Sequence, residues 1–385
     1  MTRRIAFALS LLAALGWSQL AVNGARAQTA RTPSQRSASQ RTAAQRTTAQ
    51  RSQGTRSAAQ TQPAQRITEQ PQGATSQPVV PGTGTKLTAL GDDFESPEWR
   101  YIPNGAKASY EQDESQRPPG GRSTNGRWYE SAMRGQPDVV RRIDTPPGGL
   151  PGSTGSMYLA TKFSGVPGEL SGKQMQDDLL MGIQTRLGKA IPVSWRPSVV
   201  VRVYLPEFER WENRSGSSFG MRCDVRGRTP AGIVEPYWPG QFILFRSETS
   251  DKYDHDYAQL SVRAKSNGQD VPGPVIEESG WWTFGMSFTP DGQVHQYAHA
   301  GTDDLTENDR LFSSFPYGNK TQFVDAFFVN VANLDNGKTW STPWVIDDPA
   351  VYVIPPQGQS VASLINRTGN DGNQTAVSRL FNSLK

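Results

Sequence analysis

The chain is 385 residues long, with a formal net charge of +4, one cysteine and three histidines. A single cysteine excludes an internal disulfide, so the fold must be held by core burial, for which the length is ample. No apolar run long enough to span a bilayer follows the first 27 residues, which excludes a multispanning helical membrane protein.

Residues 1–27 read as a cleaved secretory leader. Arg3 and Arg4 form a basic head, Ile5 to Leu20 an apolar stretch, and Ala25-Arg26-Ala27 a small-x-small cleavage pattern. Residues 28–85 differ in kind. Arginine recurs at Arg31, Arg36, Arg41, Arg46, Arg51, Arg56 and Arg66, against Glu69 alone. A period of five builds neither a helical nor a strand face. With so few large apolar side chains, the stretch cannot offset its ordering entropy and is expected to be a disordered arm. Such an arm is a spacer or a weak adhesive for anionic surfaces; it lacks the aromatic residues that selective nucleic-acid binding uses. The residues from Lys86 onward net −5, so the basic character belongs to the N-terminal part.

From residue 86 to 355 the pattern is short strands between Gly, Pro, Asn and Asp clusters. The segments 156–163, 198–206, 218–227, 241–248, 257–265, 281–290, 293–300, 323–333 and 344–354 all read as strands. Trp282, Phe284, Met286 and Phe288 share one face of theirs, while Asp291-Gly292 marks a tight hairpin before the next. Convincing helical periodicity is confined to a short piece near Ala376–Leu384, in an extension spanning 356–385. The fold class is therefore all-β, two packed antiparallel sheets. Cys223 reads as a buried apolar residue. N-x-S/T triplets stand at Asn213, Asn319, Asn366 and Asn373.

The tryptophan-led strand, the Pro290-Asp291-Gly292 turn and the strand ending Tyr297-x-x-x-Gly301 resemble the concanavalin A-like lectin/glucanase superfamily. Residues 91–99 are similar to its opening strand and 344–354 to its last. The resemblance spans roughly residues 88–355 and implies a jelly-roll β-sandwich in which both chain ends pair in one sheet. Gln293-Val294-His295 is also similar to a short motif of jelly-roll polysaccharide lyases.

Several chemistries follow from these residues. Glucanase-type hydrolysis needs paired carboxylates. Glu111 and Asp113 begin the laminarinase-like spacing, but Gln116 replaces its second Glu. Lyase chemistry would use Arg202 (or Arg263) to neutralise a uronate, with His295 and Tyr297 moving protons. The lyases' Arg-x-Glu-x-Arg and Tyr-x-Lys-x-Gly strands are missing. His295 and His299 lie about 13 Å apart on one strand, too far to share a zinc ion. Asp92, Asp93, Asp347 and Asp348 are candidate ligands for a structural calcium, or else solvated turn residues. Glycan binding without chemistry would use Tyr237, Trp238, Tyr253, Tyr257, Trp281 and Tyr297 as platforms. His255, His299, Arg202, Arg246, Asn330 and Asn333 are its polar partners.

Together these features describe an exported bacterial protein, secreted or held in the periplasm or cell envelope. It is expected to be a non-catalytic sandwich that binds a polysaccharide or envelope glycan. The alternatives are a lyase or hydrolase of an acidic polysaccharide and a structural surface protein. The row His295, Tyr297, His299 is expected on a concave, solvent-reaching sheet face.

Overall fold

The computed structural model describes residues 76–105, 107–108, 120–165 and 168–365. The leader, residues 28–75 of the arm, the Glu111/Asp113 segment and the helix expected near Ala376–Leu384 lie outside the described residues. In chain order the early strands are β1 (Thr85–Lys86), β2 (Tyr101–Ile102), β3 (Arg122–Ser123), β4 (Trp128–Glu130), β5 (Val139–Ile143) and β6 (Ser156–Ala160). Then come β7 (Gln174–Gly182), β8 (Ile191–Pro192), β9 (Ser198–Leu205), β10 (Gly216–Arg228), β11 (Val234–Tyr237), β12 (Gly240–Arg246) and β13 (Tyr257–Arg263). The last are β14 (Asp270–Ile276), β15 (Gly280–Phe288), β16 (Val294–Ala300), β17 (Arg310–Ser314), β18 (Lys320–Leu334) and β19 (Trp344–Val353). Two short helices, α1 (Ile183–Leu187) and α2 (Val361–Ile365), complete the described elements.

The strands form two sheets. One has eight strands, in the order β17-β16-β15-β9-β19-β6-β5, with β1 added to β19. The other has eleven, in the order β14-β13-β12-β10-β18-β7-β4-β3-β2, with β11 on β10 and β8 on β18. The paired strands run antiparallel, and the architecture is the jelly-roll β-sandwich that the resemblance implies. Alternation decides which side chains face the other sheet. Phe284, Met286 and Phe288 of β15, Met221 and Cys223 of β10, and Phe327 and Val329 of β18 all join one core. Trp344 anchors it, with Phe219 and Trp211 ring centroids 4.8 and 4.9 Å away. Each such fully buried side chain contributes about 1.5–3 kcal/mol, which is how a chain without disulfides holds its sandwich. Cys223 is wholly buried, and burial drives its thiol pKa far up, so it is packing material.

Three expectations need correction. Residues 91–99 form no strand. The chain ends do pair, but through β1, with Thr85 opposite Val353 and Lys86 opposite Tyr352. Asp92 turns inward instead, accepting hydrogen bonds from the indoles of Trp99 and Trp128. The Asp291-Gly292 hairpin is present, but its loop is longer than two residues. Thr289 N–H donates to Gln293 O, and Gly292 adopts φ +85. Finally, order begins before Lys86. Val79 is buried, its carbonyl accepts the Ser287 hydroxyl, and Gly82 N–H donates to Ser198 Oγ at 3.3 Å. Residues 76–82 thus form a strap across the outer face of the eight-stranded sheet.

Candidate functional site

The strap decides the fate of the His-Tyr-His row. His295, Tyr297 and His299 do share one face of β16, the outer face of the eight-stranded sheet. That face is not open to solvent. His295 and Tyr297 are fully buried, and Tyr297 packs with Val200, Leu305 and Val80. His295 Nδ1 pairs with Ser313 Oγ at 2.8 Å and its Nε2 with Thr289 Oγ1 at 2.9 Å. Burial lowers its pKa to about 4, against Asp291, which favours the cation, and with Arg310, which opposes it. Burial raises the Tyr297 pKa, with the Arg310 guanidinium beside it pulling the other way. His299 is partly buried, with Nε2 3.0 Å from Asp303 O. Arg202 sits two strands away on the same face, with Thr283 between it and His299. Its guanidinium is consumed by Asp304 at 2.8 Å and Asp348 at 3.3 Å. The row expected to be solvent-reaching is covered, because Val79 to Pro81 and the loop carrying Leu305 roof it, and the Tyr297 hydroxyl lies buried there without a hydrogen-bond partner among the described residues.

The four aspartates are likewise engaged. Asp92 takes the two indole donors and Asn125. Asp93 is exposed and accepts Glu95 N–H, while Asp347 accepts from Ser153 Oγ at 2.8 Å and Asp348 pairs with Lys86. Among the described residues no group of three or more His, Cys, Asp or Glu is arranged to hold a metal. Trp281 is expected as a glycan platform. It is buried, donating to Pro147 O, while Trp282 packs against the core. Tyr237 is in the core. Asn333 is buried and donates to three backbone carbonyls.

The outer face of the eleven-stranded sheet is different. Across its centre run Asp178 on β7, Asn330 on β18, Gly220 on β10 and Phe242 on β12, each opposite the next. One row along, Arg222 of β10 faces Phe328 of β18 and Gly240 of β12. The Arg222 guanidinium lies 5.5 Å from the Phe242 ring and 5.3 Å from Phe328. Arg263 approaches the Phe242 ring at 5.1 Å, held by Asp270 and by the Tyr317 hydroxyl at 2.8 Å. Gly220 makes the floor low. A methyl there would come within 2.7 Å of Asn330 Oδ1 and 3.0 Å of the Phe242 ring.

Among the described residues, two polar atoms on this face find no protein partner. Arg222 Nε and Asn330 Oδ1 are both buried and unpaired, on neighbouring strands. The rest of each side chain is held. Arg222 Nη2 donates to Trp238 O at 3.3 Å, and Asn330 Nδ2 to Asp178 Oδ1 at 2.6 Å. Burial pushes the Arg222 pKa down to about 10; Asp178 opposes this and Arg263 adds to it. Burial also raises Asp178. Asp224, next along β10, is pushed up to about 7 by burial and by Asp325, against Arg222, Arg226 and Trp238. The face therefore offers two cations on aromatic surfaces, beside an amide and carboxyls. That chemistry suits a ligand carrying both hydroxyl and carboxylate groups.

Besides Asn330, four of the expected binding residues belong to this face after all. The Trp238 carbonyl anchors Arg222, and Arg246 bonds Tyr253 OH at 3.2 Å and Gln259 Oε1 at 3.0 Å. Tyr257 stands opposite Arg246. His255 is exposed at the margin, its ring 5.3 Å from Tyr257. The sequence reading missed Arg222 and Asp178. Strict alternation in 218–227 was the available signal: Met221, Cys223 and Val225 inward leaves Arg222, Asp224 and Arg226 outward.

No family model matches the chain, nor does any curated protein. Among solved structures, alginate lyase Aly36B is similar at 11% identity, covering 68% of this chain and 96% of that one, with a TM-score of 0.34. An alginate lyase from Pseudomonas aeruginosa is 7% identical over 57% of this chain and 87% of that one, TM-score 0.34. The CBM2 module of the evolved Dit protein of Lactobacillus casei BL23 phage J-1 is 10% identical over 69% and 96%, TM-score 0.31.

Proposed function

We propose that this sandwich binds an acidic polysaccharide across the outer face of the eleven-stranded sheet, with Arg222 and Asn330 meeting a uronate unit. One observation carries the reading. A buried donor, Arg222 Nε, and a buried acceptor, Asn330 Oδ1, stand unpaired on adjacent strands beside aromatic rings. Leaving such groups unpaired costs about 1–3 kcal/mol each, a cost that a ligand's carboxylate and hydroxyl would remove. Phe242 and Phe328 would pack against the apolar face of a sugar ring. On the same reading residues 1–27 export the chain and the arginine-bearing arm tethers the sandwich at the cell envelope.

The test is binding of the full chain to alginate, pectate and glycosaminoglycans by calorimetry, alongside ultraviolet absorbance for unsaturated uronate. Arg222→Met keeps the arm intact while removing one of the site's two cations, the one beside Asn330. Binding that survives Arg222→Met unchanged would sink the reading. Polymer-dependent absorbance would move the protein from binder to lyase.

A further inference from the structure

The loop 161–173 joins β6 to β7, and the loop 335–343 joins β18 to β19. Leu334 pairs with Gln174 and Trp344 with Leu159, so both connections cross between the sheets at one end of the sandwich, side by side. They carry three large apolar side chains far out of the core. Phe163 is 50% exposed, Leu170 57% and Trp340 46%. Trp340 is the one tryptophan in that exposed class among the described residues. The three form a single patch. A methyl at Gly337 would touch Leu170 at 3.1 Å and Phe163 at 3.3 Å, and Lys162 Nζ lies 5.4 Å from the Phe163 ring and 5.7 Å from Trp340.

The loops are held in place. Asn333 Nδ2 donates to Lys162 O at 3.0 Å and Thr339 O at 2.9 Å, tying one loop to the other. Asp335 accepts from Ser171 N–H and Gly172 N–H. The patch is therefore a fixed surface. Lys173 and Lys338 are exposed in the same two loops, with Lys162 between the rings, against one exposed acid there, Glu169. The residues from Lys86 onward net −5, so a basic rim at this end is a local feature.

We propose that this end of the sandwich docks on an anionic lipid bilayer. Phe163, Leu170 and Trp340 enter the headgroup–acyl boundary, and Lys162, Lys173 and Lys338 meet the lipid phosphates. Aromatic and aliphatic side chains with flanking lysines are the composition that favours this interface. The lysine over both rings argues against a sugar stacked there, because it already shares their faces.

The experiment uses the full chain and vesicles of phosphatidylglycerol and phosphatidylcholine with brominated acyl chains, which quench only tryptophan that reaches the bilayer. Wild type should sediment with the vesicles and lose tryptophan emission. In Trp340→Phe, sedimentation should persist while the quenching falls. Neutralising the three lysines to Gln should weaken partition by about fivefold for each lysine. Sedimentation without quenching means the arginine arm alone makes the contact and overturns the proposal. So does a failure to sediment. A dimer that dissociates in Phe163→Ser/Leu170→Ser/Trp340→Ser, with no vesicle binding, would reassign the patch to a second copy of the chain.

Discussion

Pro81 occupies the space that Gly285 leaves bare in the middle of β15. A methyl on Gly285 would stand 2.7 Å from Pro81 Cβ and 2.4 Å from Leu305 Cδ1. The strap and the loop carrying Leu305 can therefore close over the sheet only because position 285 has no side chain. Gly285→Ala is expected to lift this roof and destabilise the protein by about 1–3 kcal/mol. Chemical denaturation would show it as a lower midpoint, and protease would cut earlier between Ser76 and Gly82. An unchanged midpoint would mean the strap contributes nothing.

His295 makes the same region sensitive to acid. Its folded pKa, about 4, lies below the ordinary imidazole value of 6.5, mainly because burial disfavours the cation. The folded state therefore binds fewer protons than the unfolded chain between those values. Stability from this residue is present above pH 6.5 and is lost as the pH falls toward 4, about 3 kcal/mol in all. His295→Gln should lower stability at pH 7 and flatten its dependence over that window. A wild type equally stable at both pH values once other groups are matched would contradict this.

Much of the fold is legible in the sequence because strand alternation survives in it. Nine segments read as strands are strands, and Phe284, Met286 and Phe288 face the core as their spacing requires. Strands β5 and β7 escaped because Arg141-Arg142 and Asp177-Asp178 break the apolar signal. The candidate site was half legible. Trp238, Arg246, Tyr253, Tyr257 and Asn330 fall on the outer face of the eleven-stranded sheet. His295 and Tyr297 drew attention by residue type, yet alternation gives only a shared face. It does not say which sheet is roofed, and the roof comes from residues 76–82, where Val79 and Val80 are the only apolar signal after the low-complexity arm.

Lys107 is the clearest stability determinant away from both faces. Its ammonium lies 2.7 Å from Asp177 and 2.8 Å from Asp138, and Asp177 is fully buried. Replacing Lys107 with Met leaves a buried carboxyl without its cation. The expected loss is about 3–5 kcal/mol, read from denaturant unfolding. Lys107→Met/Asp177→Asn should recover part of it, because the stranded charge is then gone. A double variant no more stable than the single one would show that the charge is not the cause.

Arg222 should behave in the opposite way to Lys107. It has an unpaired Nε, rings on two sides and a pKa pushed down by burial, all marks of a charge kept at some cost to the fold. Arg222→Met retains most of the side chain's apolar contact with Phe242 and Phe328 and removes the desolvated cation. Asp178 keeps its hydrogen bonds from Asn330 and Gln176. Stability is therefore expected to stay within about 1 kcal/mol of wild type, or to rise. Binding of acidic polysaccharide should fall by tenfold or more, a loss of about 1.4 kcal/mol. Gly220→Ala tests the same floor without touching charge, since its methyl meets Asn330 Oδ1. If calorimetry shows Arg222→Met unfolding several kcal/mol early, Arg222 is a structural cation and the face is no ligand site.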